Sequence, residues 1–291
     1  MNSECLLCQL RSIGKHLDTV DIAESDRIEI IQSFTAYISH ADPKITNPEM
    51  AAELNRLIAA HHPEKEIYKK IKREFNDLML GLYDKYHKKV LASDDPLRTA
   101  MKLAIAGNII DFGPNHAFDA EETIESVLNA SLRHDDSTSM FRDIKNADKV
   151  LYLADNAGEI VMDKLFISML NHKGLKVAVR GEPVLNDVVK KDAVYVGLDK
   201  IAPVIDNGAA IPSTVLHQCS DEFVGTYNKA DVVIAKGQGN LEGLLNQRNK
   251  NLYFLFTVKC PAIARLTKAE VGDFVVMHSS RLPDCSKVPC L

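Results

Sequence analysis

From residue 149 onward the chain alternates short apolar runs of strand type with helical stretches, and no other feature restricts its fold as much. The strand candidates are Val150–Ala154, Lys176–Arg180, Pro203–Ile205, Val232–Ala235, Leu252–Val258 and Phe274–Met277. Helices are expected between several of them, at Ile160–His172, Leu185–Val189 and Leu241–Asn246. Strands spaced by helices need crossover connections, and these build a mainly parallel sheet covered on both faces. The expected class is therefore α/β.

Polar residues recur where each strand stops. Asp155 and Asn156 follow the first, and Arg180-Gly181-Glu182-Pro183, then Asn186-Asp187, follow the second. Asp206-Asn207-Gly208 follows the third, Lys236-Gly237-Gln238-Gly239-Asn240 the fourth, and Lys259-Cys260-Pro261 the fifth. Ligand sites of open α/β sheets lie outside the carboxyl ends of the strands, so residues far apart in sequence can line one pocket. Asp155 has a simpler role open to it, as the cap of the following helix. The recurrence at successive strand ends favours the pocket.

The residue types in that pocket set limits on its chemistry. Asp155, Asn156 and Asp187 are oxygen donors, matched to Mg²⁺ or Mn²⁺ rather than to a thiophilic metal. Lys259, helped by Lys236 and Arg180, offers positive charge to a phosphoryl group. Gly208 and Gly237 let backbone amides approach an anion, and Asn240 beside them is expected to contact substrate. Metal, cations and amide donors together suit phosphoryl transfer or phosphoester hydrolysis. A dinucleotide site is disfavoured, because Gly237-Gln238-Gly239 misses the G-x-G-x-x-G spacing by one residue. The sequence contains neither a G-x-x-x-x-G-K-[ST] loop nor a G-x-S-x-G elbow.

Residues 1–95 read as an α-helical N-terminal domain without chemistry, and 96–291 as the α/β domain. Within the second part, Asn108 and Asp111 stand in an apolar stretch bracketed by glycines. Buried without partners they would cost roughly 1–3 kcal/mol each, which favours a ligand cleft or a helix end that uses them. Cys5-Leu6-Leu7-Cys8 has C-x-x-C spacing, and Cys285 and Cys290 lie near the other end. Reduced thiols are the expectation, with a zinc site drawing on both ends as the alternative. With 35 basic and 40 acidic residues the net charge is −5, which argues against a nucleic-acid surface. No apolar run approaches the roughly 20 residues of a membrane helix, and no secretory leader is legible, so a cytoplasmic protein is expected.

Five stretches occur in an order that resembles a known family: Gly107-Asn108-Ile109-Ile110-Asp111, Ala154-Asp155-Asn156-Ala157-Gly158-Glu159, Asn186-Asp187-Val188, Lys236-Gly237-Gln238-Gly239-Asn240 and Leu255-Phe256-Thr257-Val258-Lys259-Cys260. The family is that of the metal-dependent damage-control phosphatases, once a domain of unknown function, one member of which has been described as an acidic-residue methyltransferase. The C-x-x-C pair is similar to its stand-alone prokaryotic branch. The resemblance implies a Rossmann-like α/β domain behind a helical N-terminal part. It implies Asp155, Asn156 and Asp187 as metal ligands, Asn108 and Asp111 as substrate contacts, and Lys259 as the phosphate contact. It also implies hydrolysis of a phosphate ester of a small metabolite, a sugar phosphate or a phosphopantetheine-like compound, some of them damaged, with Mg²⁺, Mn²⁺, Co²⁺ or Ni²⁺. Where eukaryotic sugar-phosphate members carry Asp-Leu-Asn-Tyr-Arg, this chain has Gln238-Gly239-Asn240-Leu241-Glu242. The resemblance leaves two mechanisms open, attack by water and attack by Asp155 to form an aspartyl-phosphate. An S-adenosylmethionine-dependent carboxyl methyltransferase and a non-catalytic metabolite-binding protein are the alternative functions.

Overall fold

The computed structural model describes residues 2–284 apart from 43, 63, 65 and 108–115, and the side chains of 116–119 also fall outside the described set. Four helices come first: α1 (Ser3–Leu17), α2 (Glu24–His40), α3 (Asn47–Ala60) and α4 (Lys69–Leu91). Local chemistry sets their starts. Asn2 caps α1 by accepting from the Cys5 amide at 2.8 Å, and Thr46 and Glu49 form a reciprocal capping box at α3, with Pro48 in its first turn. Ile13, Phe34, Met50, Leu54 and Ile58 close a small core among α1, α2 and α3. The fourth helix is different. Met79, Tyr86 and Val90 of α4 share a core with side chains of the sheet. The division expected at residue 95 thus falls between α4 and α5 (Pro96–Ala106), two helices with one core in common.

After α6 (His116–Asn129) the order is β1 (His134–Asp135), α7 (Ser137–Asn146), β2 (Val150–Leu153), α8 (Glu159–Leu170), β3 (Leu175–Val179), α9 (Lys190–Tyr195) and β4 (Val204–Asp206). Then come α10 (Asp221–Lys229), β5 (Val232–Lys236), α11 (Gly237–Gly243), β6 (Leu252–Thr257), α12 (Pro261–Thr267) and β7 (Phe274–His278). The strands form one seven-stranded sheet in the order β1-β7-β6-β5-β2-β3-β4. Every pair is parallel except β6 with β7. Each residue of β2, β5 and β6 is buried, as expected for strands covered on both faces. One face packs Val150, Tyr152 and Ile234 against Ile105, Ile160 and Phe166. The other packs Leu151, Ala235 and Phe254 against Phe223, Tyr227 and Ile263. No helix among the described residues is long and apolar enough to cross a membrane.

Two departures from the sequence reading matter. The helix expected over Leu185–Val189 is absent, since Leu185 takes a left-handed φ of 45° and helix α9 begins only at Lys190. The freed segment instead pairs with the end of β2 and with Arg180. The elements β1, α7, α10 and α12 were not anticipated. They are short, and α7 and α10 bury few apolar side chains: Met140 and Ile144 in one, Phe223 and Tyr227 in the other.

The strand order places a switch point at β2. The chain runs from β2 outward through β3 to β4, then returns to β2's other flank as β5. Connections diverge there, which leaves a crevice at the carboxyl ends of β2 and β5.

Candidate active site

Asp155, two residues beyond the end of β2, stands at that crevice and is 7 % exposed. Gly237, the first residue of α11, faces it across the gap with φ +77°. A Cβ at Gly237 would lie 1.9 Å from Asp155 Oδ2, so only glycine leaves room for the carboxylate. The 184–189 segment delivers the second carboxylate. The Val188 amide donates to the Asp155 carbonyl and the Ala157 amide to the Asn186 carbonyl, both at 2.9 Å. These bonds set Asn156 opposite Asp187 in a short antiparallel bridge. Asp187 is 2 % exposed.

Arg180 joins the two acids. Its Nε donates to Asp187 Oδ2 at 2.6 Å and its Nη2 to Asp155 Oδ1 at 3.3 Å. Its Nη1 donates to Asn240 Oδ1 at 3.1 Å, an oxygen that also accepts from Thr214 Oγ1 at 2.9 Å. The Asn240 amide nitrogen is held by the carbonyls of Lys236 and Ala154 at 2.7 and 3.2 Å. Arg180 and Asn240, both expected to bind substrate, are 2 % and 0 % exposed and fully engaged with protein groups. They order the carboxylates instead.

Lys236 is engaged by protein groups in the same way. Its ammonium is wholly buried and donates to Asp163 Oδ1 at 2.6 Å, to the Ala104 carbonyl at 2.7 Å and to Glu159. It faces the protein interior rather than a phosphate. The other Glu159 oxygen accepts from the backbone and side-chain nitrogens of Asn156, each at 3.4 Å. Lys236 therefore acts on the site through Glu159 and Asn156. The Gly208 amide, expected to meet an anion, donates to Asp206 Oδ1 at 3.1 Å.

Lys259 stays available. It is exposed just beyond β6, its ammonium makes no hydrogen bond or ion pair among the described residues, and its backbone amide is fixed on Gln238 Oε1 at 2.9 Å. Asn108 and Asp111 lie outside the described residues, as do Cys285 and Cys290. Cys5 is half-buried, and burial, then the neighbouring Glu242 and Cys260, pushes its thiol up to about 11.

Charge at the strand ends is lopsided. Burial first, then Glu159 and Asp187, pushes the Asp155 carboxyl up to about 8, against the pull of Arg180 and Lys259. Burial likewise raises Asp187 despite its bond to Arg180. Asn156 Nδ2 donates to Asp155 Oδ2 at 3.0 Å, and its Oδ1 has no hydrogen-bond partner among the described residues. Two buried carboxyl groups and an amide oxygen, all oxygen donors brought to one point among the described residues, form a donor set that fits a hard dication.

The helical N-terminal part contributes residues the sequence reading passed over. Asn76 of α4 accepts from the Gly158 amide at 2.7 Å, and Asn55 of α3 accepts from the Leu185 amide at 3.2 Å. Lys72 of α4, 0 % exposed, bridges Glu66 at 3.1 Å and Asp192 of α9 at 2.5 Å. A signal was present, since Lys72, Asn76 and Met79 recur at helical spacing on a face whose other members are apolar.

A family model described as the damage-control phosphatase ARMT1-like domain matches residues 1–275. A damage-control phosphatase from Pyrococcus horikoshii is 34 % identical over 285 residues, covering 95 % of this chain and 97 % of that protein. One from Archaeoglobus fulgidus is 30 % identical over 235 residues, covering 79 % of this chain and 81 % of its own. The crystal structure of a DUF89 family protein from Pyrococcus horikoshii superposes with a TM-score of 0.85 at 29 % identity, over 96 % of this chain and 99 % of the other.

Proposed function

The chain belongs to the damage-control phosphatase ARMT1-like family, and on that premise we propose that it is a divalent-metal-dependent phosphatase acting on the phosphate ester of a small metabolite. The observation that carries this reading is the meeting of Asp155 and Asp187 on one buried guanidinium at the switch point of the sheet. Asp155, Asn156 and Asp187 would hold the metal, with Mg²⁺ or Mn²⁺ favoured by the oxygen donors and Co²⁺ or Ni²⁺ as further candidates. When bound, such an ion supplies charge neutralisation at phosphoryl oxygens and a more acidic water.

The chain's own groups do the rest. Arg180 holds both carboxylates at fixed orientation, so no reorganisation is needed when charge develops. Glu159, anchored on Lys236, turns the Asn156 nitrogen inward and leaves its oxygen to the site. Lys259 meets the phosphoryl group with a cation that pairs with no carboxylate among the described residues. The leaving group is that of a sugar phosphate or a phosphopantetheine-like ester, damaged metabolites included.

Phosphate release from a panel of such esters, with and without each metal, tests the proposal. Metal-stimulated release that disappears in Asp155→Ala and Asp187→Ala supports it. No release on any ester with any metal, or near-normal turnover in either variant, overturns it.

A further inference from the structure

A cavity of about 920 Å³ lies between α3 and the loops that follow β3 and β4. Its size is within the range of small-molecule sites, about 300–1,000 Å³. It is tied to the candidate site at two points. Asn55 lines it and holds the Leu185 amide, two residues before Asp187. Glu182 and Gly208 form its rim, where the Gly181 amide, next to Arg180, donates to the Ala209 carbonyl at 3.0 Å.

The walls carry an uneven charge. The carboxylates of Glu49, Glu53, Glu66 and Glu182 line the cavity, against the cations of Arg56 and Lys191. Both cations are committed: Arg56 grips Glu53 through two contacts of 2.7 Å, and Lys191 pairs with Glu66. The Glu182 carboxylate has no partner among the described residues and is exposed on the cavity wall, two residues along the chain from Arg180.

We propose that this cavity receives the non-phosphate part of the substrate, and that Glu182 restricts it to leaving groups that are uncharged or cationic, excluding those with a second phosphate. This rests on the phosphatase reading above. A second dianion in the cavity would face an excess of carboxylates with no unpaired lining cation among the described residues to receive it, and such repulsion discriminates by raising the energy of the wrong partner. An uncharged hydroxylated group would meet Tyr37, Asn55 and Gln218 instead.

The test compares a hexose 6-phosphate with the matching 1,6-bisphosphate in the presence of Mn²⁺, using wild type, Glu182→Gln, Glu182→Lys and the distant surface control Glu270→Lys. The monophosphate should lead by about tenfold or more in kcat/KM, the scale of a partly screened charge repulsion. Glu182→Gln should narrow that lead, Glu182→Lys should narrow it further, and both should act through KM for the bisphosphate, with Glu270→Lys matching wild type. A bisphosphate used as well as the monophosphate, or a ratio that neither Glu182 variant moves, overturns the inference and leaves the phosphatase reading standing. Failure of wild type to release phosphate from any ester with any metal overturns both.

Discussion

Asn76 Oδ1 accepts a 2.7 Å hydrogen bond from the backbone nitrogen of Gly158, a residue 82 positions later in the chain. Gly158 has φ +78° and turns the chain from the Asp155-Asn156 loop into α8. The helical part of the protein thus fixes the loop that carries two of the proposed metal ligands. Asn55, through the Leu185 amide, does the same for the loop that carries the third.

Removing the Asn76 acceptor leaves a buried amide unsatisfied, which costs about 1–3 kcal/mol. Asn76→Ala should lower the unfolding midpoint in urea and also weaken metal activation, because the turn it anchors holds Asp155 and Asn156. Asn76→Asp keeps an acceptor and should recover most of the metal response. Stability loss with an unchanged metal response would reduce Asn76 to a packing residue.

The two strand-end lysines should behave in opposite ways. Lys236 is buried between Glu159 and Asp163, and deleting one partner of such a cluster typically costs about 3–5 kcal/mol. Lys236→Met should therefore unfold at markedly lower denaturant, with activity lost as a consequence. Lys259 is exposed and unpaired among the described residues. Lys259→Ala should melt within about 0.5 kcal/mol of wild type, as surface changes do, and yet lose phosphatase turnover. Circular dichroism melts beside turnover assays separate the two cases.

Gly237→Ala tests how tightly the crevice closes on Asp155. The added methyl would overlap the carboxylate, and the φ of +77° disfavours any side chain there. Metal-stimulated activity should fall by at least about tenfold, the equivalent of 1.4 kcal/mol in the barrier. A variant with full activity would show that Asp155 can work from another position.

Asp163 gives a pH signature away from the proposed ligands. Burial, the leading cause, pushes its carboxyl up to about 7, above the 3.8 of an unperturbed aspartate. The folded state then binds a proton that the unfolded state has released. The contribution of this group to stability is complete below about pH 4 and is lost as pH rises through about 7. Asp163→Asn should flatten the decline in unfolding free energy across that window. Urea titrations at several pH values give the comparison, and parallel curves for variant and wild type would exclude the effect.

The parts of this architecture that could be read from sequence are those written in local pattern. The apolar runs of β2, β5 and β6 and the polar residues that end them need no tertiary information, because a strand buried on both faces is apolar throughout. The proximity of Asp155 and Asp187 followed from the same logic of strand ends. Their connection through Arg180 did not, because nothing local separates an arginine that meets substrate from one that orients carboxylates. The burial of Lys236 was not legible for a related reason: its partners Glu159 and Asp163 lie on α8, and only the packing of α8 beside β5 turns its ammonium inward. The 185–189 segment has helical composition, and its bridges to Asn156 and Arg180 override that preference. Asn55 and Asn76 were legible as polar residues on buried helical faces, but their partners are loops far along the chain.

If Asp155, Asn156 and Asp187 form a metal site, binding must register in stability as well as in rate. A ligand that binds only the folded state at a hundredfold over its Kd adds about 2.7 kcal/mol. Mn²⁺ should therefore raise the melting temperature of metal-stripped wild type by several degrees, and a chelator should reverse the rise. Asp155→Asn and Asp187→Asn each replace a carboxyl group by an amide of nearly the same shape. Their baseline melting temperatures can move in either direction, since Arg180 loses an acceptor while a buried acid is removed. The increment on adding Mn²⁺ is the informative quantity, and it should collapse in both variants. An increment retained in both would place the ion elsewhere and leave these two acids as partners of Arg180 alone.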